Sequence, residues 1–346
     1  MQRRRAARKA GGQGDWPQGA AWTWGAARAL RAAWTWGSVR ALRTALCWLC
    51  ALFAVPAAAQ ALQESRAAAQ AVGEAVCVRC HAAENQHFGH TVHARAFRQN
   101  PRNERERPVC EACHGPGSRH VANATDRDAI IGFTRGWGTP VDTQNAQCLG
   151  CHQGRQRLYW PGSAHASGQL GCSDCHNTMA RFSATGLLAK ASVSETCYGC
   201  HPQQRTEFRK RSHMPLPEGK MSCESCHNPH GSPTRPLLKT NSVNDLCVSC
   251  HAEKRGPFIW EHAPVRENCL NCHEAHGSNQ EMLLVAPRPF LCQQCHTNRT
   301  HQNRLLTAAN QAGGADPNER LMARGCQTCH AQIHGSNHPA GVRFLR

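Results

Sequence analysis

One five-residue pattern, Cys-x-x-Cys-His, occurs ten times between residues 77 and 330 of this 346-residue chain. It uses 20 of the 22 cysteines and ten of the 22 histidines. From Cys148 to Cys292 successive patterns begin only 22 to 26 residues apart. That interval has room for one short helix and a turn, so the pattern dominates what the chain can fold into.

The pattern is the attachment signature of c-type haem. Two cysteine sulfurs form thioether bonds to the ring edge, and the histidine that follows binds the iron as proximal ligand. We therefore predict ten covalently attached haem c groups. Their motifs are Cys77/Cys80/His81, Cys110/Cys113/His114, Cys148/Cys151/His152, Cys172/Cys175/His176, Cys197/Cys200/His201, Cys223/Cys226/His227, Cys247/Cys250/His251, Cys269/Cys272/His273, Cys292/Cys295/His296 and Cys326/Cys329/His330.

Other uses of paired cysteines explain the pattern less well. Zinc sites made of four cysteines do not need a histidine after each pair, and a disulfide framework leaves the ten histidines unexplained. Thioredoxin-like redox motifs occur once in a domain. Cys47 and Cys50 share the cysteine spacing, but Ala51 follows them, so no haem is predicted there.

Composition predicts the fold class. Residues 60–346 contain three Trp, two Tyr and eight Phe, too few large apolar side chains for an ordinary core of that size. Haem rings would fill the interior instead. We expect a multihaem cytochrome c, mostly irregular with short α-helices and almost no sheet, in an extended haem-packed chain. The motif count suggests two pentahaem halves, residues 60–205 and 206–346.

Residues 1–59 are predicted to be an export leader, a signal peptide whose length also fits a start codon assigned too far upstream. Basic residues precede an apolar run, Leu46 to Val55, and Pro56-Ala57-Ala58-Ala59 resembles a cleavage site. Without the leader the chain has 31 Lys and Arg against 22 Asp and Glu, a formal charge of +9. These basic residues are scattered and accompany no nucleic-acid motif, so we interpret them as counter-charge to haem propionates and expect no nucleic-acid partner.

Candidate distal ligands lie at regular distances from the motifs. His165, His213 and His262 each precede a motif by seven to ten residues. His230, His276 and His334 each follow a motif histidine by three or four residues, in the context His-Gly-Ser. Since so short a tether cannot reach the opposite face of the same ring, we expect these side chains to bind a neighbouring haem. His93, His120 and His301 are less regularly spaced.

Specific segments resemble one family. They include Arg211-Ser212-His213-Met214-Pro215, Cys226-His227-Asn228-Pro229-His230-Gly231-Ser232, Trp260-Glu261-His262-Ala263-Pro264-Val265 and Ile333-His334-Gly335-Ser336-Asn337-His338-Pro339. From residue 77 onward the chain resembles the periplasmic decahaem cytochromes of the MtrA, MtoA, PioA and DmsE type. The resemblance implies that His93, His120, His165, His213, His230, His262, His276, His301 and His334 are distal ligands, with His87, His90 and His338 left over.

The tenth distal position departs from MtrA-like members. Met179 stands three residues after His176, the offset at which His230 and His276 follow their own motif histidines. Thioether sulfur is an accepted axial ligand of haem iron, so we predict that Met179 binds a neighbouring haem. The alternatives are that Met179 is packing and that His87, His90 or His338 completes the set. Met179 and the residues after it resemble the MtoA and PioA branch, associated with Fe(II) oxidation.

The resemblance implies an electron conduit rather than an enzyme. Such a cytochrome lies in the periplasm, inside an outer-membrane β-barrel porin. It connects periplasmic c-type cytochromes or a quinol-linked partner to an extracellular cytochrome or to Fe(II)/Fe(III). The alternatives are a soluble periplasmic shuttle to a terminal reductase and a multihaem nitrite- or hydroxylamine-type oxidoreductase. An enzyme of that type needs an open iron, and all ten motifs here end in histidine.

Intact-mass measurement of the exported protein should give the chain plus ten haems. The expectation follows from ten complete motifs and from the poverty of other apolar material for a core. A count of eight or fewer, or a stable folded form without haem, would contradict this account of the interior.

Overall fold

The computed structural model describes residues 69–297, 325–328 and 330–342. They belong to the unit Ser65–Arg346, whereas the unit Met1–Glu64, which contains the whole predicted leader, lies outside them. Cys329 and His301 also lie outside the described residues. Where the chain is described it has short helices and no β-strand. The predicted fold class, mostly irregular with short helices, is therefore confirmed.

The helices rarely exceed two turns. The α-helices are α1 (Glu74–Cys77), α2 (Ala82–Gly89), α3 (Val92–Gln99), α4 (Glu111–His114), α5 (Ser118–Ala122), α6 (Val141–Leu149), α7 (Ala164–Ser167), α8 (Cys172–Cys175), α9 (Val193–Tyr198), α10 (Pro202–Glu207), α11 (Val243–Val248), α12 (Ala263–Glu267) and α13 (Phe290–Gln293). Single 3₁₀ turns occur at Arg127–Ala129, Arg135–Trp137, Arg155–Arg157, Cys223–Ser225, Ala252–Lys254, Cys269–Asn271, Glu281–Leu283 and Cys326–Thr328. No helix in these described ranges is long and apolar enough to cross a bilayer.

Helices meet the attachment motifs in two ways. In one form, which we call helix-first, a helix leads into the first cysteine of the motif. In the other, cysteine-first, a helix or 3₁₀ turn begins at that cysteine or directly after it. The helix-first motifs start at Cys77, Cys148, Cys197, Cys247 and Cys292, and the cysteine-first motifs at Cys110, Cys172, Cys223, Cys269 and Cys326. The two forms alternate along the chain.

Side-chain caps define where two helix-first helices start. The Ser192 hydroxyl accepts a hydrogen bond from the Glu195 amide at 3.1 Å, and the Ser242 hydroxyl accepts one from the Asp245 amide at 3.0 Å. These caps satisfy amides that have no partner inside the helix. Each helix then needs less than two turns to reach its cysteine, Cys197 or Cys247.

Three cysteine-first motifs are each followed by a loop that returns to the motif histidine. Isolated antiparallel bridges join His176 to Leu188, His227 to Leu238 and His273 to Leu284. The chain thus leaves the motif, turns and returns beside the motif histidine. This repeated loop accounts for three of the five isolated bridges in the described residues.

The other two bridges connect distant parts of the chain. Ser212 and Ser278 exchange backbone hydrogen bonds of 2.9 and 2.7 Å, and Trp260 and Ser336 exchange two of 3.0 Å. Ser278 and Ser336 belong to the His-Gly-Ser segments recognised in the sequence. These segments therefore fasten later parts of the chain to earlier ones.

Apolar side chains contribute little to the interior. Phe88, Ala94 and Val109 form a small buried cluster, with Phe97 and Met179 packed against it. Among the described residues no large side chain is fully buried. The division near residue 205 into two pentahaem halves stays a prediction.

Replacing Gly231 with alanine should destabilise the protein by about 2 kcal/mol or more. Gly231 has φ +116°, and an added Cβ would overlap the backbone carbonyl of Tyr159. Thermal unfolding of the haem-loaded protein measures the effect. Gly154→Ala is the matched control, since its Cβ would meet nothing within 4 Å. Equal melting temperatures for the two variants would show that this contact is not tight.

Candidate haem sites

Cysteine sulfurs of neighbouring motifs lie in contact. Thiol hydrogen bonds join the first cysteine of each helix-first motif to the first cysteine of the cysteine-first motif that follows. The pairs are Cys77 with Cys110, Cys148 with Cys172, Cys197 with Cys223, Cys247 with Cys269, and Cys292 with Cys326. These sulfurs are the atoms that become thioethers when haem is attached.

The second cysteines make the complementary connection. Burial raises the pKa of the Cys226 and Cys272 thiols. Electrostatic repulsion from Cys250 raises the pKa of Cys226 further, and repulsion from Cys295 does the same for Cys272. Burial likewise raises the pKa of Cys113 and Cys175, to which Cys151 and Cys200 also contribute. Each cysteine-first motif thus lies within electrostatic range of the helix-first motif after it. Consecutive motifs are therefore neighbours in space as well as in sequence.

Exposure of the second cysteine is common to several motifs. Cys80 is exposed, as are Cys151, Cys175, Cys200, Cys250 and Cys295. The Cys80 amide donates to the Cys77 carbonyl at 3.2 Å, which keeps both cysteines of the motif in one turn. Attachment of haem to Cys80 therefore stays a prediction from the motif alone.

Imidazole rings meet in pairs across the chain. In each pair one histidine belongs to a motif and the other is a predicted distal ligand. The ring centroids are separated by 6.2 Å for His81–His120, 6.0 Å for His152–His93, 6.0 Å for His176–His230, 6.3 Å for His201–His165, 6.2 Å for His227–His276, 6.2 Å for His273–His334 and 6.2 Å for His296–His262.

This separation suits a metal ion between the rings. Two imidazoles bound through nitrogen on opposite sides of one metal, at bond lengths of about 2 Å, have centroids about 6 Å apart. The residues therefore fit a six-coordinate haem iron with two histidine ligands.

The protonation states agree with this role. Burial lowers the pKa of His230 to about 4 and also lowers the pKa of His93, His262 and His334. Such imidazoles are neutral at pH 7, and the neutral form is the one that binds a metal. The buried Nδ1 atoms of His93, His120 and His230 have no hydrogen-bond partner among the described residues.

Cysteine-first motifs orient their histidine by a hydrogen bond. Nδ1 donates to a backbone carbonyl in four of them: His114 to Ile131 at 2.8 Å, His176 to Gly186 at 2.7 Å, His227 to Pro236 at 2.8 Å and His273 to Met282 at 2.8 Å. Since Nδ1 is the donor, Nε2 is left for the iron, and the hydrogen bond makes the ring a stronger electron donor.

The ring pairs follow two rules. A histidine upstream of a cysteine-first motif pairs with the next helix-first histidine, as His93 does with His152, His165 with His201 and His262 with His296. A histidine just after a cysteine-first motif pairs with the preceding cysteine-first motif instead. His230 meets His176, His276 meets His227, and His334 meets His273.

Met179 occupies a histidine's position in this scheme. Its amide donates to the Asn177 Oδ1 at 2.9 Å, as the His230 amide donates to the Asn228 Oδ1 at 3.2 Å. The thioether side chain packs against the cluster of Phe88, Ala94 and Val109. Cys110, from the motif of His114, packs against the same cluster. Met179 is therefore beside the motif that the second rule assigns to it.

His213 is placed differently from its equivalents His165 and His262. Its Nδ1 donates to the Lys210 carbonyl at 2.6 Å, and its Nε2 lies 3.1 Å from Glu218 Oε1. The hydrogen bond to Lys210, with that to Glu218, raises the pKa of His213. In the described residues no ring contact joins it to His251, the partner that the first rule assigns.

The remaining histidines add little to the described sites. His87, His90 and His338 are exposed. His301 lies outside the described residues, so its role as a ligand stays a prediction. For His330 the structure describes the residue but not Cys329 of the same motif.

Two asparagines that the sequence analysis did not single out hold consecutive motifs together. The Oδ1 atoms of Asn145 and Asn244 accept from the Cys172 and Cys269 amides, each at 2.8 Å. Each asparagine stands three residues before the first cysteine of a helix-first motif. That recurrence is the signal that could have identified them.

Comparison with known proteins agrees with this geometry. The doubled CXXCH motif family matches residues 213–256 and 262–301, and the cytochrome c-type protein NrfB-like family matches residues 110–189. The multihaem cytochrome MtrA of Shewanella baltica (strain OS185) is 39% identical over 238 residues, covering 68% of this chain and 70% of the relative. The chain belongs to the MtrA family. It is a multihaem c-type cytochrome that binds haem c, and its chemistry is electron transfer.

Proposed function

We propose that the chain is a decahaem electron conduit without an open iron site. The observation that carries the proposal is the set of seven imidazole pairs, each joining a motif histidine to a predicted distal ligand. Each iron in the proposal has two protein ligands. The motif ligands are His81, His114, His152, His176, His201, His227, His251, His273, His296 and His330, and the distal ligands are His93, His120, His165, Met179, His213, His230, His262, His276, His301 and His334.

The two pairing rules also say which iron is bound by Met179 and which by His213, the two predicted distal ligands among the described residues for which the structure shows no ring pair. Met179 is assigned to the haem of His114, because His230, His276 and His334 all serve the preceding cysteine-first motif. His213 is assigned to the haem of His251, and its Nε2 must then exchange Glu218 for iron. The first and last motifs follow neither rule. The His81 ring lies beside that of His120, and we assign His301 to the iron of His330 because it is the one predicted distal ligand that remains.

Bound haem supplies a one-electron ferric/ferrous couple at each site. The cysteines of the ten motifs would hold these groups, and two side chains would ligate each iron. Substrate therefore has no iron to bind, which is why we propose outer-sphere electron transfer rather than catalysis. The alternating contacts make every interior site the neighbour of two others.

We infer the cellular setting from the relationship to MtrA. The proposed location is the periplasm, in association with an outer-membrane β-barrel porin. The proposed partners are periplasmic c-type cytochromes or a quinol-linked protein on one side. On the other side they are an extracellular cytochrome or Fe(II)/Fe(III). A soluble periplasmic shuttle uses the same haem chain without the barrel.

Met179→His should abolish one His/Met haem. In the unsubstituted protein a weak near-infrared sulfur-to-ferric-iron band is expected, and about one tenth of the redox titration should lie at the highest potential, because thioether favours Fe(II). The substitution should remove the band and move that tenth to lower potential. Met179→Leu is the control: it keeps an apolar side chain without the sulfur, so it should remove the band without supplying a new ligand. No band in the unsubstituted protein would show that Met179 is packing.

Capture of the tagged, haem-loaded protein from outer-membrane fractions should recover a β-barrel protein in stoichiometric amount.

Small-angle scattering of the protein alone should give a radius of gyration well above the compact value of about 19 Å for the chain without its leader. Recovery without a barrel protein, combined with a compact radius, would favour the soluble shuttle.

A further inference from the structure

A carboxylate is hydrogen-bonded to the ring of one predicted distal ligand. Nδ1 of His276 lies 3.2 Å from Glu207 Oε2, at the end of helix α10. Elsewhere in the described residues the Nδ1 of a predicted distal histidine donates to a neutral carbonyl or has no partner, as in His165 with Pro229 and in His230. The hydrogen bond leaves Nε2 of His276 available for a metal, and the His227 ring centroid lies 6.2 Å from that of His276.

Glu207 is held in place from several sides. Its other oxygen, Oε1, accepts from Gln203 Nε2 at 3.0 Å, one turn earlier in α10. The Glu207 side chain is only 17% exposed. The ring of the next residue, Phe208, lies 5.3 Å from the His276 ring. A carboxylate in this setting is partly shielded from water, so its charge acts more strongly on its neighbours.

The backbone around Glu207 is also fastened to the His276 segment. A Cβ on Gly277 would overlap the Glu207 carbonyl, so that close approach depends on glycine. Lys210 Nζ donates to the Gly277 carbonyl at 3.1 Å, and Ser212 bridges Ser278. Lys210 is a nearby positive group, but its ammonium donates to that carbonyl rather than to Glu207.

The equivalent position in another module carries no charge. Glu207 stands six residues before His213, and Tyr159 stands six residues before His165. The Tyr159 backbone packs against Gly231 as the Glu207 backbone packs against Gly277. The two modules thus share the same backbone packing against a glycine. Only the module of His276 also has a carboxylate at this position.

We propose that Glu207 is a positioning residue that lowers the reduction potential of the haem bound by His227 and His276. A carboxylate that accepts a hydrogen bond from Nδ1 fixes the ring and increases its electron donation through Nε2. Stronger donation, and a negative charge close by, favour Fe(III) over Fe(II). The inference rests on the proposed ligand set, in which His276 binds this iron.

The test compares Glu207→Gln with Glu281→Gln in the haem-loaded protein. Both substitutions remove one negative charge. Glu281 forms an exposed ion pair with Arg211 and contacts no predicted ligand through its carboxylate. In Glu207→Gln about one tenth of the redox titration should move to higher potential, and one low-spin ferric signal in the electron paramagnetic resonance spectrum should change its g-values. The control should show neither change.

A uniform shift of the whole titration in both variants, or no shift in Glu207→Gln, would overturn the proposal. If Glu207→Gln does not accumulate, Glu207→Asp replaces it; its shorter side chain weakens the hydrogen bond, so a smaller shift in the same direction is expected. His276→Ala tests the ligand assignment separately. It should convert one low-spin haem to high spin, and a spectrum without high-spin haem would show that the ligand set is wrong.

Discussion

In the proposed ligand set, the fold depends on bringing two imidazoles from distant parts of the chain to opposite sides of one iron. His230 and His176 are 54 residues apart, yet their rings are 6.0 Å apart and nearly parallel. In that set His230, His276 and His334 each serve the previous cysteine-first motif, so the bonds that complete these iron sites would also join separate modules. Removing one such ligand would therefore affect two modules.

Little else could hold such a chain together. Helices of four to nine residues are unstable in isolation, since nucleation is costly and few hydrogen bonds follow it. The buried apolar cluster around Phe88 is small. Two docking bridges, Ser212–Ser278 and Trp260–Ser336, add backbone hydrogen bonds but bury little apolar surface. The haem rings and their axial ligands must supply most of the favourable free energy that offsets chain entropy.

The sequence could predict the motifs and the short helices, because each depends on local spacing. Spacing also singled out His165, His230, His262, His276 and His334, and each of these rings lies 6.0 to 6.3 Å from the ring of a motif histidine. Their role as iron ligands stays a prediction. Which histidine meets which was not predictable, because the pairing depends on how modules dock. Docking in turn depends on contacts such as Gly231 with Tyr159, whose residues are far apart in sequence. The alternation of helix-first and cysteine-first motifs was also missed, since all ten motifs have the same five-residue pattern.

That alternation gives the iron sites two chemical environments. The histidines of cysteine-first motifs are partly buried, and His114, His176, His227 and His273 donate to carbonyls, whereas those of helix-first motifs are exposed. Buried, hydrogen-bonded imidazoles are the ones whose electron donation the protein can control. The two unusual residues, Met179 and Glu207, both act in our assignment on cysteine-first sites, the haems of His114 and His227. Thioether raises a potential and a carboxylate behind imidazole lowers one, so these two sites differ in opposite directions from their neighbours. The helix-first sites between these two haems have neither a thioether ligand nor a carboxylate bonded to a ligand in our assignment. A chain that repeats one attachment motif can thus carry an uneven energy profile while its spacing stays regular.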